Sequence, residues 1–110
     1  MESNRNLLTM TVSDNGTISV AGDIDMAAGP ILEEAMLRQE AQLGVSGDLV
    51  VDVEGVQFID SSGLRSLLAA ARRASARSAR LELQAVGPEV IRLFEITGTL
   101  GQFHIVSLRD

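Results

Sequence analysis

The chain has 110 residues, 45% of them hydrophobic, and a net charge of −6 in which each of the nine positive charges is an arginine. That length suits one domain, and the acidity disfavours a nucleic-acid binder, which needs a basic face to displace counterions. The absence of cysteine excludes disulfides, thiolate catalysis and thiol redox switching, and a lone His104 cannot by itself build a His-rich metal site.

Residues 7–13 (LLTMTVS) read as a strand with Leu8, Met10 and Val12 on one face, and Asp14-Asn15-Gly16 as a tight turn. Residues 17–21 (TISVA) alternate again, with Ile18 and Val20 together, so the two runs predict a hairpin. Ile31, Leu32, Ala35, Met36 and Leu43 then recur at helical spacing, with Glu33, Glu34, Arg38 and Gln39 facing outward. Pro30 belongs in the first turn of that helix, where its missing N–H costs little, and the helix should end before Gly44. Residues 44–47 (GVSG) are a short flexible connection.

Residues 48–53 (DLVVDV) are a compact apolar run of the kind found in strands buried on both faces. Residues 54–59 read as a loop leading to Asp60, and a second helix starts near Ser62 with Leu64, Leu67, Leu68 and Ala71 as its apolar stripe. Its alanine-rich tail has good helix propensity and little to bury. Residues 80–86 (RLELQAV) predict a strand with Leu81, Leu83 and Ala85 inward. Pro88 opens a third helix that buries Val90, Ile91 and Phe94, with Leu93 or Ile96 beside them, and Gly98 caps its end. Residues 103–107 close the chain as a short strand. The order β-β-α-β-α-β-α-β predicts an α/β fold: a mixed sheet with an opening hairpin and helices packed against it. Leu49, Val51, Leu67, Leu68, Ile91 and Phe94 are the expected core.

The stretch Phe58-Ile59-Asp60-Ser61-Ser62-Gly63-Leu64 places an acid and two hydroxyls where a strand region enters a helix. One reading is capping, in which Asp or Ser accepts a hydrogen bond from an otherwise unpaired N–H. The other is a modification site, because a helix start carries free N–H groups and partial positive charge that accommodate a phosphate. Both hold if one serine caps and the other projects outward, and Ser62 is the one expected to cap. A Ser61–His104–Asp60 hydrolase is disfavoured, since G-x-S-x-G is absent and Asp60 adjoins the supposed nucleophile. Asp23, Asp25, Asp52 and Asp60 offer oxygen ligands, yet such acids more often serve loop ends and helix starts. No metal site and no cofactor are expected. Arg65, Arg72, Arg73, Arg77 and Arg80 read as a solvated helix face or as a patch for an acidic partner.

Four segments together resemble the STAS domain: Gly22-Asp23-Ile24-Asp25, Leu49-Val50-Val51-Asp52, the Phe58–Leu64 stretch, and residues 88–98 (PEVIRLFEITG). They stand in family order over about residues 7–106, and the resemblance implies a single STAS domain across residues 1–110. The glycine-rich connection at residues 44–47 is a mild departure. Within the family, the D-S-S-G form resembles the anti-sigma-factor antagonists. That resemblance implies phosphorylation of Ser61 by an anti-sigma factor with serine kinase activity. It also implies binding to that factor in the unphosphorylated state, release of a sigma factor, and reset by a phosphatase. Asp25 matches the family's acid near the phosphoacceptor and Asp60 the acid before it, with Ser62 and Gly63 completing the motif. The alternative is a non-catalytic STAS regulatory or scaffold module of a signalling or transporter assembly. Either way the chain is expected to be no enzyme and to bind no nucleic acid directly. The N-terminus lacks the pattern of a secretory signal and no apolar run approaches the ~20 residues that span a bilayer, so a cytoplasmic protein with no membrane partner is expected.

Overall fold

The computed structural model describes residues 7–44 and 47–110. The opening hairpin pairs β1 (Thr9–Val12) with β2 (Ile18–Ala21) antiparallel, Val12 opposite Ile18. Its turn uses Gly16 at φ +88°, where a side chain would be strained. Three helices then carry the chain back to start each new parallel strand, the connection that parallel pairing requires. They are α1 (Gly29–Gln42) before β3 (Leu49–Gly55), α2 (Ser61–Ala76) before β4 (Leu81–Gln84), and α3 (Pro88–Ile96) before β5 (His104–Ile105). The sheet order is β1-β2-β3-β4-β5, mixed as expected. Residues 45 and 46 of the expected glycine-rich connection lie outside the described residues.

Register explains where the core sits. Ile18, Val51, Leu83 and Ile105 are successive cross-strand neighbours, and the first three are fully buried. Leu32 and Met36 of α1, Leu64 and Leu67 of α2, and Val90 and Phe94 of α3 fill the space above them. Phe94 is 0% exposed, and its ring centroid lies 4.5 Å from that of Phe103. The opposite face carries Thr11, Ser19, Asp52 and Gln84 in one cross-strand row. β3 is therefore buried on one face only, not on two, with Val50 and Asp52 half-buried behind Leu49, Val51 and Val53. The run LVVDV reads alike in both cases, because a valine suits a half-covered pleat as well as a covered one.

Other expectations shift in detail. Glu54 and Gly55 extend β3 instead of forming a loop. Ile31 is exposed while Leu32 and Met36 take the buried face of α1, and Ile96 is exposed at the end of α3. Leu68 and Ile91 pack on the rim of the core. Ala85 leaves β4 at φ +55° and Val86 becomes the buried residue after Leu83. The alanine-rich part of α2 has much to bury: Ala70, Ala71 and Ala74 are inside, and α2 packs on α1. Gly98, at φ +70°, caps α3 as expected, with Thr99 N–H donating to the Phe94 carbonyl at 2.8 Å and Gly98 N–H to that of Glu95 at 3.2 Å.

The arginine cluster does not form one patch. Arg73 spans the two helices, donating to both Glu40 carboxylate oxygens at 2.8 and 2.9 Å and to Glu33 at 2.7 Å. The Glu40 hydrogen bond, then that of Glu33, holds its charge even more firmly than usual against partial desolvation. Arg77 donates to the Gly47 carbonyl at 3.3 Å, and Arg80 lies 3.4 Å from the His104 ring. No helix among the described residues is long and apolar enough to cross a membrane.

Candidate functional site

The Asp60-Ser61-Ser62-Gly63 segment lies where the chain leaves β3 and turns into α2. Asp60 is the N-cap, with extended backbone at φ −91° and ψ −176°, and its Oδ1 accepts from Gly63 N–H at 2.9 Å. Its carbonyl takes the first helical bond, from Leu64 N–H at 2.9 Å. Ser62 is thus not the cap. Asp60 fills that position, and one side-chain oxygen suffices for the Gly63 N–H. Ser61 is the first residue of the helix and is exposed, while Ser62 is half-buried.

A second segment holds this turn from the side. Ile24 forms a parallel bridge with Ile59; its N–H donates to the Phe58 carbonyl at 3.0 Å, and its carbonyl accepts from Asp60 N–H at 3.1 Å. In that parallel register the backbones of Asp25 and Asp60 follow as neighbours at the start of α2. Asp25 Oδ1 accepts from Ala27 N–H at 3.1 Å and Ala28 N–H at 2.9 Å, tying down the turn into α1. Each acid closes the entry to one helix. Gly63 is required by the same closeness, since α2 begins directly against the Ile24 carbonyl. Farther along, Ser66 Oγ donates towards the Ser62 carbonyl at 3.3 Å and the Gly29 carbonyl at 3.4 Å, fastening α2 to α1.

Asp52 does not join this group. It faces the open side of β3 between Ser19 and Gln84, where its Oδ1 accepts from Glu54 N–H at 2.9 Å. Among the described residues no three metal-binding side chains cluster. The Ser61–His104 pair that hydrolysis would need is not assembled either. His104 sits in a hollow with Ser75 and Arg80, and Ser75 lies fourteen residues along α2 from Ser61, about 21 Å at the helical rise.

Several neighbours of the site are not legible as such in the sequence. Phe58 is half exposed and Met26 three-quarters exposed on the two segments that flank Ser61. A shallow groove of about 300 Å³ runs from Phe58 to Leu93, Arg92 and Ile96 of α3. An apolar letter in a loop carries no signal of exposure, and the α3 neighbours come from thirty residues farther along the chain. Exposed apolar side chains at the rim of a polar site suit a protein-docking surface better than an enclosed small-molecule pocket.

The family model described as "Mlab, STAS domain" matches residues 9–107. The chain is 30% identical over 104 residues to an anti-sigma-B factor antagonist of Staphylococcus aureus, covering 93% of both chains. A solved anti-sigma factor antagonist from Mycobacterium paratuberculosis superposes with a TM-score of 0.71 at 29% identity, over 90% of this chain and 83% of that one. The Bacillus cell fate determinant SpoIIAA, solved in its phosphorylated form, shares the fold with a TM-score of 0.65 at 19% identity, over 94% and 93%.

Proposed function

The chain belongs to the STAS domain family, with the anti-sigma-factor antagonists, and from that premise we propose that Ser61 is its phosphorylation switch. Unphosphorylated, the protein binds an anti-sigma factor with serine kinase activity in the cytoplasm and releases a sigma factor. Phosphorylation of Ser61 by that partner ends the binding, and a phosphatase restores it. No catalytic residue of its own is involved, and residues 1–110 act as one domain.

One observation carries this reading: Ser61 is exposed at the first helical position while Asp60 does the capping. A phosphoryl group can therefore be added without breaking the cap or opening the core. Phosphoserine adds about −1.5 to −2 charges at neutral pH, here next to Asp60. Like-charge repulsion and lost contacts of ~3–4 kcal/mol weaken binding roughly 10²–10³-fold. That is a switch without refolding. A neighbour of the same fold solved phosphorylated supports the fold's tolerance of the group.

The test is binding of an anti-sigma factor from the same genome to three forms of the protein. Ser61→Ala retains wild-type affinity in the presence of ATP, whereas Ser61→Glu binds at least tenfold more weakly. Equal binding by both variants in ATP removes Ser61 from the switch.

A further inference from the structure

We propose that Arg65 is the residue that pairs with the phosphate of phosphorylated Ser61, closing an ion pair across the first turn of α2. The inference rests on Ser61 being the phosphoacceptor and concerns what that modification does to the surface.

Most arginines of the described chain are engaged. Arg38 pairs with Glu34, Arg73 with Glu33 and Glu40, and Arg109 with Glu89; Arg77 holds the Gly47 carbonyl and Arg80 lies on His104. Arg65 has no such partner among the described residues and is exposed. It stands four positions after Ser61 in α2, so the two side chains project from the same face one turn apart. The anion lies on the N-terminal side of the cation, the more favourable order for such a pair. Asp60 does not compete, because its carboxylate is turned to Gly63 N–H and makes no ion pair with Arg65. A guanidinium fork also matches two phosphate oxygens at once. Phosphorylation then does two things to this surface: it adds a dianion and withdraws the unpaired cation of that turn. An acidic partner held by Arg65 would lose both advantages together.

The experiment places phosphoserine at position 61 during translation, which needs no kinase, and follows the phosphate by ³¹P NMR against pH. In the wild-type background the second phosphate ionisation is expected about 0.3 pH units or more below that of Arg65→Gln. Arg65→Lys, which keeps the charge, should titrate between the two, and the difference should shrink in ~1 M salt. Asp60 is common to all three proteins and cancels. Coincident titration of wild type and Arg65→Gln overturns the assignment. A kinase that never modifies Ser61 would overturn the switch instead, and would leave these titrations unchanged.

Discussion

Gly63 and Ile24 meet so closely that a Cβ on Gly63 would lie 2.2 Å from the Ile24 carbonyl oxygen. That oxygen also accepts the Asp60 N–H, so the start of α2 and the segment before α1 share one fixed contact. Gly63→Ala should destabilise the domain by about 1–3 kcal/mol, despite the ~1 kcal/mol that alanine gains over glycine in a helix. Urea denaturation checks it through a lower midpoint at unchanged slope. Gly101→Ala is the control, since nothing lies within 4 Å of a Cβ there. Equal stability of the two variants would contradict the contact.

Asp60 and Ser62 should separate in the same measurement. Asp60→Ala removes the acceptor of Gly63 N–H and should cost about 0.5–2 kcal/mol, with Asp60→Asn recovering most of it. Ser62→Ala removes no cap and should stay within about 0.5 kcal/mol of wild type. The reverse ranking would return the cap to Ser62.

Phe94 tests the third helix. It is fully buried against Phe103, and Phe94→Ala should cost about 3–5 kcal/mol. Ile96, two residues on and 73% exposed, should tolerate alanine within about 0.5 kcal/mol. A Phe94→Ala variant as stable as wild type would take Phe94 out of the core.

Arg73 and Arg38 form ion pairs of different worth. Arg73 meets Glu40 with side-chain exposures of 32% and 10%, whereas Arg38 and Glu34 are 71% and 66% exposed. A double-mutant cycle on Arg73 and Glu40 should give a coupling of about 1 kcal/mol, and one on Arg38 and Glu34 less than about 0.5 kcal/mol. Equal couplings would show that solvent screens both pairs alike.

What could be read from the sequence was local. The hairpin turn at Gly16, the helix start at Pro88 and the cap at Gly98 each depend on the backbone preferences of one residue. The Asp60-Ser61-Ser62-Gly63 segment was legible as a helix start for the same reason. Which of its three polar residues caps was not, because Asp and Ser are both good caps and only the extended backbone of Asp60 decides. Nor could spacing show that Ala70, Ala71 and Ala74 are buried, that Ser66 meets Gly29 of α1, or that Arg73 reaches Glu33 and Glu40. Those contacts depend on how two helices cross, and they join residues more than thirty positions apart. The open face of β3 was hidden for a related reason: all three helices lie on one side, which the strand's own letters do not record.

The switch itself is tested most directly by mapping phosphate. The protein is incubated with ATP and an anti-sigma factor kinase from the same genome, digested, and its phosphopeptides are sequenced by mass spectrometry. Phosphate is predicted on Ser61, with none on Ser62 and none anywhere in Ser61→Ala. Phosphate on Ser62 alone, or its persistence in Ser61→Ala, would contradict the assignment of Ser61 as the switch.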